Sequence, residues 1–359
     1  MRASQVLAEY TKEKTFTIHR GLQYKHPNEW FYNKDNKLPH DVVVVDESGM
    51  VDIFLFKRLL EAIDFNKTKL LIIGDSYQLN SVGAGNILHD MLNSKLIPTV
   101  HLTKVFRFGE GGQMTIATKT RLSEKFIDSN ETRIMQYGND KSYIFIPLPQ
   151  EQLLFKMTQL YDKLLKDGYK PKDIFVLTSY NKGEYGTIRI NELLQPLAND
   201  TNKKKHYKYG NTNYYEDDLV MQCVNNYKSR VYNIDWGLVT EDKALITNGE
   251  IGVIYKILEQ GIVIKFDTHY IYYTNSNLKD LSLGYCVSKH KSQGSAARIV
   301  IMITPRSHTF MLNSNLMYVA QTRAKEKVYH FGEPEVVNRA IKKKANLQRE
   351  TFLLELLSK

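Results

Sequence analysis

Four short stretches of the chain are apolar at nearly every position: VVVVD at 42–46, LLIIGD at 70–75, IFVLTS at 174–179 and RIVIMI at 298–303. A strand with one face in water alternates apolar and polar residues, so runs without alternation point to strands covered on both faces. Between them lie stretches with helical spacing, such as IFLFKRLLEAI at 53–63. That order predicts an α/β fold of parallel sheets covered by helices. Ligands of such sheets sit beyond the carboxyl ends of the strands, where Asp46 and Asp75 fall. Residues 206–280 read differently, with aromatic and β-branched runs such as THYIYYTN and turn signals at Asn248-Gly249 and Gly261. They predict a small antiparallel β module inserted between two halves of an α/β domain. A shorter polar and aromatic insert occupies 23–40, and the end of the chain from Pro334 onward reads as a closing helix.

Length and charge add to this picture. A chain of 359 residues has room for two or three domains. Lys and Arg outnumber Asp and Glu 49 to 39, a net +10, with runs at Lys203, Lys204, Lys205 and at Lys342, Lys343, Lys344. Such a surplus suits an anionic partner, nucleic acid first, although either run alone is equally a solvated face. Cys223 and Cys286 are too few and too far apart for a disulfide framework or a zinc site, which predicts a cytoplasmic protein. No apolar run approaches the ~20 residues needed to cross a bilayer, so no membrane partner is expected.

The acidic pair Asp46-Glu47 closes the tetravaline strand. A carboxylate there can hold Mg²⁺, and one beside it can orient or deprotonate an attacking water in phosphoryl transfer. Asp75 and Gln78, after the next strand, fall where side chains reach a terminal phosphate. Arg107 and Arg323 offer the planar, permanent charge that stabilises a transferring phosphoryl group. Each also has a plain structural reading: strand ends, surface salt bridges, a core histidine at His290, a simple turn at Gly83 and Gly85. Their order along the chain is harder to explain that way.

That order resembles the superfamily 1 DNA helicases of the RecD-like and Dda-like group, from residue 2 to about 332. RASQVLAEYTKEKTFTIHR resembles motif Ia of that family, VVVVDESGMVD motif II, GDSYQL motif III, LTKVFR motif IV, SKHKSQG motif V and MYVAQTRA motif VI. The resemblance implies two RecA-like motor domains that use ATP and Mg²⁺ to move along single-stranded or forked DNA, 5′ to 3′ in this group. The first would span 1–120 and carry a pin-like insert at 23–40. The second would combine 121–205 with 281–345, the β module at 206–280 would be SH3-like, and 346–359 a C-terminal helix. By matching position, Asp46 would bind Mg²⁺, Glu47 activate water and Gln78 sense the terminal phosphate. Arg107 and Arg323 would be arginine fingers, with Gln293 and Gly294 also at the nucleotide. His19, Ser288, His290 and Lys291 would meet DNA, with Trp30 and Phe31 as candidates for the strand-separating wedge.

Two departures qualify the resemblance. The family's phosphate loop, G-x-x-x-x-G-K-[S/T], precedes motif Ia, and these 359 residues contain none; YGNDKS at 137–142 lacks the required glycines and falls after motif IV. After QGS, where many RecD-like proteins carry an acidic residue, stands Ala296. The expectation is therefore a motor whose phosphate loop lies on a preceding or separately encoded segment. On its own the chain is expected to hydrolyse ATP weakly, and the alternative is an ATPase-deficient fragment that binds single-stranded nucleic acid.

Overall fold

The computed structural model describes residues 12–25, 28–102, 111–267, 269–344, 349 and 351–357. Arg107, one of the expected fingers, and most of the motif Ia stretch lie outside the described residues.

The first α/β unit opens with a single helical turn, α1 (Ile18–Gly21), and a two-residue hairpin, β1 (Tyr24–Lys25) with β2 (Glu29–Trp30). Strand β3 (Val42–Val45) leads to helix α2 (Ile53–Glu61), whose amino end is capped by the Asp52 carboxylate accepting from the N–H groups of Phe54 and Leu55. Strand β4 (Lys69–Ile72) then pairs in parallel with β3, Val42 opposite Lys69 and Val45 opposite Ile72. Helix α3 (Ile87–Ser94) completes the unit.

Here the sequence reading needs correction. β3 is not buried on both faces: Val45 is buried, whereas Val42 and Val44 are 55% and 45% exposed, and Leu71 on β4 is also exposed. Among the described residues β3 and β4 form a two-stranded sheet of their own, covered on one side by a core of Leu22, Leu38, Val51, Phe56 and Leu59. The other face borders a large cavity.

The second unit starts with helix α4 (Gly112–Arg121), followed by β5 (Met135–Tyr137), β6 (Tyr143–Pro147), helix α5 (Leu153–Lys166), β7 (Ile174–Thr178) and helix α6 (Thr187–Ala198). The antiparallel strands then run as β8 (His206–Tyr209), β9 (Thr212–Tyr215), β10 (Leu219–Gln222), β11 (Asn226–Asn233), β12 (Leu238–Ile246), β13 (Ile251–Leu258), β14 (Gly261–Lys265), β15 (Tyr270–Tyr273) and β16 (Leu281–Leu283). The chain returns to the second unit through β17 (Cys286–Ser288), β18 (Ala297–Thr304), helix α7 (Ser314–Gln321), β19 (Ala324–Gly332) and helix α8 (Pro334–Lys342).

Strand order in the second parallel sheet is β17-β7-β18-β19-β6-β5, with β5 alone antiparallel. Two-sided burial holds here. Ile174 and Val176 of β7 join the core under α5 and α6, while Phe175 and Leu177 join the one under α4, α7 and α8. β18 divides likewise, Ile299, Ile301 and Ile303 against Val300 and Met302.

The β module is a seven-stranded antiparallel sheet, β12-β11-β15-β14-β13-β10-β16, beside the β8–β9 hairpin. It continues to Leu283, slightly past the expected boundary, and shares one core with α5, α6 and the second sheet through Ile190, Leu194, Val220, Ile254 and Tyr273. Gly261 turns β13 into its neighbour β14, where a Cβ would collide with the Tyr273 carbonyl. Asn248-Gly249 forms a turn, Gly249 at φ 85°, between strands that do not pair with each other: β12 pairs with β11, and β13 with β10 and β14.

The closing helix is also corrected. Lys343 leaves α8 in an extended conformation, its carbonyl accepting from the Ser314 N–H. At the first unit the Arg349 guanidinium donates to the carbonyls of Ser81, Gly83 and Gly85, and the Thr351 hydroxyl to Asp90. Within the expected 346–359 helix only α9 (Leu353–Leu357) is helical among the described residues, and it packs on α3. No helix among the described residues is long and apolar enough to cross a membrane.

Candidate nucleotide cleft and nucleic-acid path

The turns after β3 and β4 fold against each other. Glu47 takes a left-handed conformation (φ 52°) with its N–H on Asp46 Oδ1 at 2.8 Å, and the Ser48 N–H donates to the Ile73 carbonyl at 3.0 Å. Gly74 permits this approach, since a Cβ there would collide with Ser48 Oγ and Leu88. Asp46 is exposed and Glu47 half-buried. The segment after β4 then reaches across to the second unit. Gln293 Nε2 lies 3.4 Å from Gln78 Oε1, and Asn315 Nδ2 donates to the carbonyls of Tyr77 at 2.9 Å and Gln78 at 3.1 Å. The Tyr318 hydroxyl donates to Asp75 Oδ2 at 3.1 Å, and the Arg121 guanidinium stacks 5.1 Å over the Tyr77 ring. Leu79, in the first unit by sequence, is buried in the second unit's core. Burial, and then the Asp75 charge, raise the pKa of the Tyr318 phenol, so it donates at neutral pH.

Asn315 and Tyr318 were not singled out from sequence. Their spacing of three on α7 puts them on one helix face, which is the signal that could have identified them.

A cavity of about 2980 Å³ runs between the first unit, the β module and the turn after β17. Asp46, Glu47, Gln293, Gly294, His19, His290 and Lys291 all line it. Arg20, Lys228, Lys243, Lys265 and other lysines along it outnumber its carboxylates, and Tyr227 presents an exposed ring. Small-molecule sites occupy roughly 300–1,000 Å³, and this space is larger.

Other expected site residues lie apart from it. Ser288 is buried at the end of β17. Trp30 sits in a small aromatic cluster, 4.6 Å from Tyr24 and 5.4 Å from His19 between ring centroids, while Phe31 is exposed. Burial lowers the pKa of His19, against an opposing effect of Asp52; burial, then Lys289, lowers that of His290. Arg323 is only 5% exposed, its guanidinium donating to the carbonyls of Val319 at 2.9 Å and Ser295 at 3.2 Å. It therefore backs the Gly294-Ser295 turn that lines the cavity.

Residues 1–134 fit the family model described as an AAA domain, and residues 283–329 that of the UvrD-like helicase C-terminal domain. The chain is 27% identical over 356 residues to the ATP-dependent RecD2 DNA helicase of Deinococcus radiodurans, covering 99% of this chain and 45% of that protein. It is 28% identical over 347 residues to the RecBCD enzyme subunit RecD of Mycolicibacterium smegmatis, covering 92% and 57% respectively. The chain is thus similar to RecD-like helicases. It spans about half the length of these two relatives. A Bacteroides Pif1 helicase solved with ADP-AlF3 and ssDNA shares the fold, with TM-score 0.53 and 16% identity over 96% of this chain and 84% of that one.

The chain also carries donors that would suit a magnesium nucleotide. Mg²⁺ is commonly held by one or two carboxylates together with substrate phosphates. Asp46 and Glu47 supply such a pair at the carboxyl end of β3, and no cluster of three or more potential metal ligands occurs among the described residues.

Proposed function

We propose that this chain is the motor portion of an ATP-dependent DNA helicase or translocase, acting in the cytoplasm on single-stranded or forked DNA in the 5′ to 3′ direction. One observation carries the reading most: the Asp75–Leu79 segment of one parallel-sheet unit is gripped by Gln293, Asn315 and Tyr318 of the other. Movement between the units is thereby tied to the segment nearest the expected phosphates. Bound Mg²⁺·ATP would supply the phosphoryl group and the charge that polarises it. In this reading Asp46 holds the metal, Glu47 orients water, Gln78 reports the terminal phosphate and Arg107 offsets its charge; Arg323, expected as a second finger, is instead buried against the Val319 and Ser295 carbonyls and supports the turn beside Gly294. The β module is the counterpart of the family's SH3-like domain, and its lysines and Tyr227 follow the strand's phosphates and bases.

DNA-stimulated ATP hydrolysis, with Glu47→Gln beside the parent, tests the motor. Turnover lost in Glu47→Gln supports it. The second reading, a single-strand binder without ATPase activity, is favoured by the cationic cavity. Salt-sensitive oligonucleotide binding without turnover would select it. Displacement of strands with 5′ or 3′ tails reads the direction.

A further inference from the structure

The turn after β17 carries His290, Lys291 and Gln293 to the cavity, but the turn's first residue faces inward. Lys289 is fully buried. Its Nζ lies 3.3 Å from Ser179 Oγ, just past β7, and donates to the Ile303 carbonyl near the end of β18 at 3.1 Å. Its N–H donates to the Thr178 carbonyl at 2.9 Å, and its own carbonyl accepts from Ser292 Oγ at 2.8 Å. Because β17, β7 and β18 are consecutive in the sheet, one side chain ties together the carboxyl ends of three parallel strands.

An aliphatic residue would fill this space without desolvating an amine, so what lysine adds is the pair of hydrogen bonds. The titratable groups that act on it or feel its charge are Cys286 on β17, His290 in the turn, His308 after β18 and His330 on β19; none is a carboxylate. An ammonium has three donors and finds two acceptors here, whereas the neutral amine fits the site. Burial lowers the pKa of Lys289 to about 7.

We propose that Lys289 is a positioning residue: it bolts the 289–295 turn to the strand ends and so sets how tightly the cavity holds single-stranded nucleic acid. The proposal rests on reading the cavity as the nucleic-acid path. When the amine is neutral the turn is held in place; once protonated, the ammonium draws in water and the turn loosens.

The test is binding of a labelled oligothymidylate by the parent, Lys289→Met, Ser179→Ala and Lys291→Ala proteins, from about pH 6 to about pH 8. At the upper pH, Lys289→Met is expected to bind about tenfold more weakly, as for a site left loose by its support. Ser179→Ala should fall between it and the parent, and the gap should narrow toward the lower pH. Lys289→Met binding as tightly as the parent, or a ratio constant across the range, overturns the proposal while leaving the cavity reading intact. A parent that binds no oligonucleotide, or a Lys291→Ala protein that binds as well as the parent, overturns the cavity reading itself.

Discussion

Replacing Lys289 by methionine should stabilise the protein at neutral pH and remove a rise in stability between about pH 7 and 10. Methionine is unbranched and of similar length, so it fills the same space. Burial lowers the Lys289 pKa from 10.5 in the unfolded chain to about 7 in the folded one. Between those values the unfolded chain binds the extra proton, so stability increases with pH through the window. Below it both states are protonated and the full cost of burying the charge is felt; above it neither is. At about 1.36 kcal/mol per tenfold change in proton affinity, the window is worth ~5 kcal/mol. Relaxation and water entry make that an upper figure, and the lost hydrogen bonds to Ser179 and Ile303 return about 1 kcal/mol each. Urea-unfolding midpoints of both proteins across the window measure the effect. A Lys289→Met midpoint that climbs with pH as steeply as the parent's would refute the reasoning.

Tyr318→Phe removes the hydroxyl that donates to Asp75 and should cost about 1.5–3 kcal/mol of coupling between the units, visible as faster proteolysis of the 75–86 segment. Asn315→Leu frees the carbonyls of Tyr77 and Gln78 and should act in the same direction, with a double-mutant cycle showing non-additivity. Arg349→Ala releases three carbonyls between Ser81 and Gly85, and hydrogen exchange should rise in α3 and α9 but not in β18. Lys228→Ala with Lys243→Ala should weaken oligonucleotide binding similarly for all sequences and flatten its salt dependence by about one unit of slope per lost phosphate contact; sequence-selective weakening would contradict a backbone-tracking path.

Uniform apolar runs at 174–179 and 298–303 specified strands covered on both faces, because every side chain there must leave water. The texture of 206–280 specified antiparallel strands, and the ordered motifs pointed to the RecD-like helicases that the chain is similar to. Tertiary structure decided what local pattern cannot encode. The tetravaline run reads like the others, yet Val42 and Val44 are exposed, because burial depends on which element covers a face and not on how apolar the face is. Helical spacing near the end of the chain could not reveal that Arg349 would bond three carbonyls on the other unit. Lys289 stood unremarked in SKHKSQG, since only the packing of three adjacent strand ends makes a lysine there a buried bolt rather than one more surface charge.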